Sequence, residues 1–303
     1  MAFDLYFAGS STPVTEQYIQ EHALCRLQSQ LNDRTNIKRY VDAGFKGKLF
    51  IDSGAYTAYT KQKQVNVDEY IDYINNLDEY LTIYAQVDKI PGQHGQEKTL
   101  QDITEAPKLS WDNYLYMRTK VKSPDKLLPI FHRRENWYYL EQMLETTFDG
   151  RHIPYIGIAA TTDSSTTEKE EWFHKVFQVI QKSSNPNVKT HAFGMTSLRL
   201  LESFPFTSAD STSWIMTAIN GGIMSPYGVI IVSERQKHLK NNIYNQAKPV
   251  KEAFLQYIET LDLTLQELQT EPTARLIANI KYLVKWCENY KYKPITIQKR
   301  SLF

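Results

Sequence analysis

Short apolar runs alternate with helix-like stretches through roughly residue 235, and no low-complexity linker interrupts them. The runs read as strands over 3–8, 48–52, 81–87, 127–131, 154–159, 189–193, 206–209 and 228–232. Val, Ile, Leu and Phe dominate them without strict polar alternation, as in strands covered on both faces. Segments 67–80, 111–122, 136–146 and 167–182 carry helical character between them. Asn66 precedes the acidic Asp68 and Glu69, and Ser165 stands three residues before Glu168, so both look like helix caps. Repeated β-α units predict an α/β protein, and eight strand candidates predict a (β/α)8 TIM-type barrel. Beyond about residue 248 the alternation stops. Helical segments over 250–260 and 271–290 predict a C-terminal helical appendage, giving a barrel domain over 1–247 and an extension over 248–303 packed on it.

The chain has 303 residues, 42% of them hydrophobic, enough to bury a sizeable core. No apolar run approaches the roughly 18 residues of a membrane span, and the N-terminus lacks a basic leader pattern, so a cytoplasmic protein without a membrane partner is expected. Cys25 and Cys287 lie far apart in no paired motif, which predicts two reduced thiols and no cysteine zinc site. The net charge of +1 neither demands nor excludes a polyanionic partner, because binding depends on a local patch. Lys281, Lys285 and Lys291 beside Tyr282, Trp286 and Tyr290 fit either a nucleic-acid surface or an ordinary amphipathic helix. The seven His residues show no metal-ligand spacing, and no cofactor is expected.

Two carboxylates share one setting. Asp52 ends the run Lys48-Leu49-Phe50-Ile51 and opens into Ser53-Gly54-Ala55-Tyr56, while Asp210 ends Phe206-Thr207-Ser208-Ala209 and is followed by Ser211, Thr212 and Ser213. In a barrel of parallel strands, residues distant in sequence converge where the strands end, which is where such folds place their chemistry. The plain alternative is that each Asp caps the following helix. Asp88, after Val87, has a similar place or is a simple loop entrance. His132 and His191 are candidates too, with buried hydrogen-bonded histidines as the ordinary reading.

Taken in order, these motifs resemble the tRNA-guanine transglycosylases and, more closely, their DNA-acting relatives, the 7-deazaguanine DNA transglycosylases of bacteria and their viruses. Asp52-Ser53-Gly54-Ala55-Tyr56 is similar to the family's Asp-Ser-Gly-Gly-Phe/Tyr motif. Asp88 resembles the strand-end Asp that reads the guanine edge, and Tyr155-Ile156-Gly157-Ile158-Ala159 resembles the segment whose backbone contacts the base. His191-Ala192-Phe193-Gly194-Met195-Thr196 looks like the strand before the nucleophile, and Asp210 falls near the nucleophile's spacing. His132 stands where the family has a base-reading Gln. The cysteine-rich zinc site of the tRNA-acting members is missing, as is the basic loop after the nucleophile.

The resemblance implies exchange of guanine for a 7-deazaguanine derivative in a nucleic acid, DNA in preference to tRNA, by double displacement through a covalent Asp intermediate. Asp210 would be the nucleophile and Asp52 the proton carrier, needing a pKa nearer neutrality than the ~3.9 of a free Asp. Asp88 would pair with the guanine N1-H and N2-H donors, and Tyr56 or Phe193 would stack on the base. Ser53, Gly54, His132, Gly157, Ile158, His191 and Gly194 complete the expected base site, with Arg133, Arg134 and Arg199 holding phosphates. The 7-deazaguanine base is the small-molecule partner, and a homodimer is an open expectation. Two other functions stay open: a nucleosidase or glycosidase acting on a small sugar conjugate with the same acids, and a non-catalytic nucleic-acid-binding paralogue.

Overall fold

Among the described residues thirteen strand segments form, and nine of them share one sheet. They are β1 (Asp4–Phe7), β2 (Cys25–Ser29), β3 (Lys48–Asp52), β4 (Ile83–Ala85), β5 (Leu127–Leu128), β6 (Ile130–His132), β7 (Thr147–Phe148), β8 (Arg151–His152), β9 (Tyr155–Ala159), β10 (Lys189–Phe193), β11 (Ser208–Ser211), β12 (Gly222–Ser225) and β13 (Gly228–Ile231). The computed structural model describes residues 2–9, 12–31, 36–160, 164–195 and 197–294. Residues 295–303, the end of the expected extension, lie outside them, as does Thr196 of the 191–196 motif. The large sheet runs β5-β4-β3-β2-β1-β11-β10-β9-β6, and each register recorded within it is parallel.

The sheet curls until its edges nearly meet. Its two edge strands, β5 and β6, are separated in sequence by Pro129 alone, with β5 pairing β4 and β6 pairing β9. Proline has no N–H to offer a ladder, and the Pro129 carbonyl accepts from Gly157 N–H at 2.7 Å. A second sign of curling is the 4.8 Å separation of the Phe50 and His191 rings, because β3 and β10 have β2, β1 and β11 between them in the strand order. The sheet is therefore α/β, parallel and barrel-like. It differs from the expected set of eight continuous strands in three ways: Pro129 divides one strand, β2 was not foreseen, and Gly228–Ile231 lies outside the sheet. That last segment pairs antiparallel with β12 instead.

Strand β2 escapes a hydrophobic reading because its sequence, Cys25-Arg26-Leu27-Gln28-Ser29, carries polar groups that the fold buries. Arg26 is 0% exposed, donates to the Phe7 carbonyl at 2.5 Å and pairs with both carboxylate oxygens of Glu16 at 3.0 Å. A buried charge is tolerated when it is paired and hydrogen-bonded in this way. The small β7–β8 hairpin turns through Asp149 and Gly150, at φ values of 51° and 74°, the left-handed pair such a two-residue turn needs.

Three of the four helices expected between strands form within three residues of their expected bounds. The 67–80 expectation is Val67–Leu77, capped by Asn66 through the Asp68 and Glu69 amides, and the 167–182 expectation is Thr166–Lys182 with the Ser165–Glu168 capping box in place. The helix expected over 111–122 starts earlier, as Leu100–Arg118, because Thr99 and Asp102 form another capping box.

The described residues form two compact units, one drawn from 1–26, 45–47 and 211–290 and the other from 27–44, 48–210 and 291–294. In the first, Ile223, Ile230 and Val232 of the β12–β13 region share a core with Phe254, Ile258 and Leu268 of the C-terminal helices. Buried Asn279 of the last helix, Pro272–Glu288, accepts from Met224 N–H and donates to the Trp214 and Gly222 carbonyls. Trp286 and Tyr290 pack on Phe3, and Lys281 donates to the Leu261 carbonyl, so these side chains serve packing. The second unit carries the candidate site.

Gly157 is tightly packed beneath that site. A Cβ added there would lie 2.4 Å from Phe193 Cε2 and 2.8 Å from Leu128 Cδ2. Overpacking of this kind costs about 1–3 kcal/mol. We expect Gly157→Ala to lower the stability measured by urea unfolding by that amount, with an unchanged midpoint showing that Phe193 gives way freely.

Candidate functional site

Side chains two apart on a strand point to the same face. Phe50 and Asp52 of β3, Tyr155 and Gly157 of β9, His191 and Phe193 of β10, and Ser208 and Asp210 of β11 therefore line one face, with His191 opposite both Ser208 and Gly157 in register. The two acids stand at or next to the C-terminal ends of their strands.

Asp210 is not a helix cap. The helix that follows, Ser213–Ile219, has Thr212 at its N-cap and no side-chain cap bond. Instead, Asp210 Oδ1 accepts from Gly194 N–H at 2.8 Å and lies 3.2 Å from His191 Nε2. Gly194 has a φ of +58°, a left-handed conformation that glycine adopts without a Cβ penalty, and this aims its N–H at the carboxylate. Nothing lies within 4 Å of where a Gly194 Cβ would stand. Among the described residues no hydrogen bond occupies Asp210 Oδ2, so one oxygen is anchored and the other is open.

The anchor continues beneath. His191, fully buried, places Nδ1 2.5 Å from Ser208 Oγ, which is 2.5 Å from the Tyr155 hydroxyl. A carboxylate only accepts, so His191 Nε2 carries the proton toward Asp210. On a singly protonated ring Nδ1 then accepts from Ser208, and Ser208 accepts from Tyr155. The donors run one way, from Tyr155 to Asp210, and select one tautomer. Phe50 and Phe193 meet the His191 ring edge-on at 4.8 and 4.5 Å and hold its plane.

Asp52 occupies the opposite condition. Its Oδ2 accepts Gly54 N–H at 3.0 Å, but burial pushes its pKa up to about 7, with Asp88 and then Asp210 adding repulsion against the Gly54 and Ser53 amides. Three acids thus share one electrostatic neighbourhood. Tyr70 donates to the Ile51 and Ala85 carbonyls and fixes the ends of β3 and β4 beneath Asp52 and Asp88.

Asp88 has a partner that fits no simple loop entrance. His132 Nε2 lies 3.0 Å from Asp88 Oδ2, while His132 Nδ1 lies 2.9 Å from Glu135 Oε1. Glu135 Oε2 accepts the His132 backbone N–H at 2.9 Å. Burial alone would lower the imidazole's pKa, but Glu135 and Asp88 together raise it to about 10, so His132 is a cation between two anions. Glu135 was not foreseen as part of the site. Its signal is the i, i+3 spacing His132-Arg133-Arg134-Glu135, which the turn at Arg134, φ 82°, converts into contact.

The remaining candidates divide. Ser53 is buried and accepts the Ala55 amide, and Gly54, at φ +79°, sits so close to Ser29 Oγ that a Cβ would stand 2.8 Å from it. Ile158 is fully buried on the face opposite Gly157 and can offer only its backbone to the site. The space above Gly157 is filled by Phe193. Tyr56 is 64% exposed at the rim. Arg133 bonds Ser164 and lies 3.4 Å from Glu168, and Arg199 pairs with Glu170 at 2.5 Å, so acids on one helix engage both. Arg134 is exposed. Among the described residues no three His, Cys, Asp or Glu side chains gather as a metal site, and no helix is long and apolar enough to cross a membrane. Comparison with protein families finds none that matches the chain, and comparison with curated proteins finds no similar one.

Two outcomes follow from these groups. Asp52 has a folded pKa above its unfolded value, so its contribution to stability is complete below about pH 4 and is lost as pH rises through about 7. Asp52→Asn is therefore expected to be more stable than the parent at pH 8, on the order of a few kcal/mol at most, with the gain vanishing near pH 4; parallel unfolding curves at the two pH values check this. For His191, 15N NMR should report the Nε2–H tautomer in the parent and a mixture in Ser208→Ala/Asp210→Ala, which lacks both groups that fix the ring proton. An unchanged tautomer in that double variant removes their role.

Proposed function

We propose that this protein exchanges guanine for a 7-deazaguanine derivative in a nucleic acid, with DNA as the favoured polymer, by double displacement at C1′. The observation that carries the reading is the contrast between two acids on one sheet face: Asp210, anchored through Oδ1 with Oδ2 open, and Asp52, held near neutral pKa. A nucleophile and a proton carrier are the pair that exchange with retained stereochemistry requires.

In the first displacement Asp210 Oδ2 bonds to C1′ as the bond from C1′ to the guanine nitrogen breaks. The departing base takes the electron pair and receives the proton from Asp52. In the second, Asp52 accepts the ring N–H proton of the incoming base, whose nitrogen attacks C1′ and releases Asp210. Asp88 offers Oδ1 to the N1-H and N2-H edge while His132 secures Oδ2. Tyr56, at the rim, closes over the base. The target nucleotide must leave any duplex, at a cost of a few kcal/mol. DNA is favoured because the sequence lacks the cysteine cluster of the tRNA-acting enzymes it resembles. The fold this reading assigns is a (β/α)8 cylinder whose fifth strand is the β5–β6 pair, interrupted at Pro129.

The test supplies labelled guanine with DNA or with tRNA and looks for label in each polymer and for a denaturation-resistant protein–polymer adduct. Label in DNA is expected, with a rate that peaks near pH 7 because Asp52 must act in both protonation states. Asp210→Asn should lower the rate by about a thousandfold or more and abolish the adduct. Full activity in that variant, or label in neither polymer, defeats the proposal.

A further inference from the structure

Beside Asp88 the second unit has a cleft of about 590 Å³, large enough for one nucleotide. One wall comes from the helix Ala55–Thr60 and the segment after it, with Tyr59 and Lys63; the other comes from the segment after β4, with Lys89 and His94. We propose that this cleft holds the nucleotide next to the target in the polymer strand, Lys63 and Lys89 meeting its phosphates and Tyr59 its base. The inference rests on the functional reading above and names the part of the substrate that reading leaves unplaced.

Three observations support it. First, the lining is cationic where the rim arginines are not available: Lys63 and Lys89 are exposed and form no ion pair among the described residues, whereas Arg133 and Arg199 are engaged by Glu168 and Glu170. The acid that feels the Lys89 charge, Asp102, is already held by the Thr99 amide and hydroxyl. Second, Asp88 is the sole carboxylate in the lining, and His132 covers one of its oxygens. The cleft thus shares Asp88 with the proposed base site and presents no second carboxylate to a phosphate. Third, Tyr59 brings an aromatic ring to the wall, with His94 edge-on at 5.6 Å and the Lys98 ammonium 5.9 Å from the ring centre. An aromatic platform flanked by cations is the common means of holding single-stranded nucleic acid without reading its sequence.

The experiment measures binding of a fluorescent five-nucleotide single strand with one central guanine, as DNA and as RNA, by anisotropy across a salt series and without any 7-deazaguanine. Each single-strand phosphate contact contributes about 0.7 to the slope of log K against log salt. Lys63→Ala/Lys89→Ala is expected to weaken binding at least tenfold at 0.1 M salt and to flatten the slope by about 1.4. Lys63→Arg/Lys89→Arg should keep both, and Tyr59→Ala should cost about tenfold with the slope unchanged. An unaltered slope in the double alanine variant overturns the proposal, even if base exchange is intact. A flattened slope in a protein that exchanges no base leaves the cleft as a nucleic-acid site and removes only the transglycosylase reading.

Discussion

Like charges gathered in a poorly solvated place repel, and the end of this sheet gathers Asp52, Asp88, Asp210 and Glu135. The fold answers each charge differently. Asp88 and Glu135 share an imidazolium, Asp210 takes a backbone amide and an imidazole N–H on one oxygen, and Asp52 receives two amides that do not offset its burial. The acid left least compensated is the one whose proton is easiest to exchange near neutral pH. Unequal burial, with repulsion added to it, is a general way to set chemically identical carboxyl groups apart in their protonation.

Much of the frame was legible because it depends on local signals. Caps at Asn66 and Ser165 set helix starts, and apolar runs at 48–52, 154–159 and 189–193 coincide with strands. What escaped depends on partners remote in sequence. Cys25–Ser29 does not look like a buried strand until Glu16 and the Phe7 carbonyl neutralise Arg26. Conversely, Gly228–Ile231 has the composition of a sheet strand but is paired within its own hairpin. Apolar content predicts burial, and it cannot say against which neighbour.

The site shows the same division. Asp52, Asp88 and Asp210 could be marked from their place after apolar runs, and all three fall into one electrostatic group. The supporting residues were harder to see. Ser208 lies inside a segment noted only for its Asp, and Tyr155 begins a strand noted for its glycine, yet the two hydroxyls meet His191 by way of strand register. The arginines illustrate the opposite error, since charge in the sequence does not reveal that Glu168 and Glu170 already engage two of them.

The turn from His132 to Glu135 has a further consequence. One carboxylate grips both the ring and the main chain of the same histidine, so imidazole and backbone behave as a single clamped piece. Exchanging that histidine for a neutral amide in one evolutionary step would strand a second anion in the interior. A change at position 132 is therefore tied structurally to position 135, and the pair, rather than either residue, is the unit that the fold accommodates.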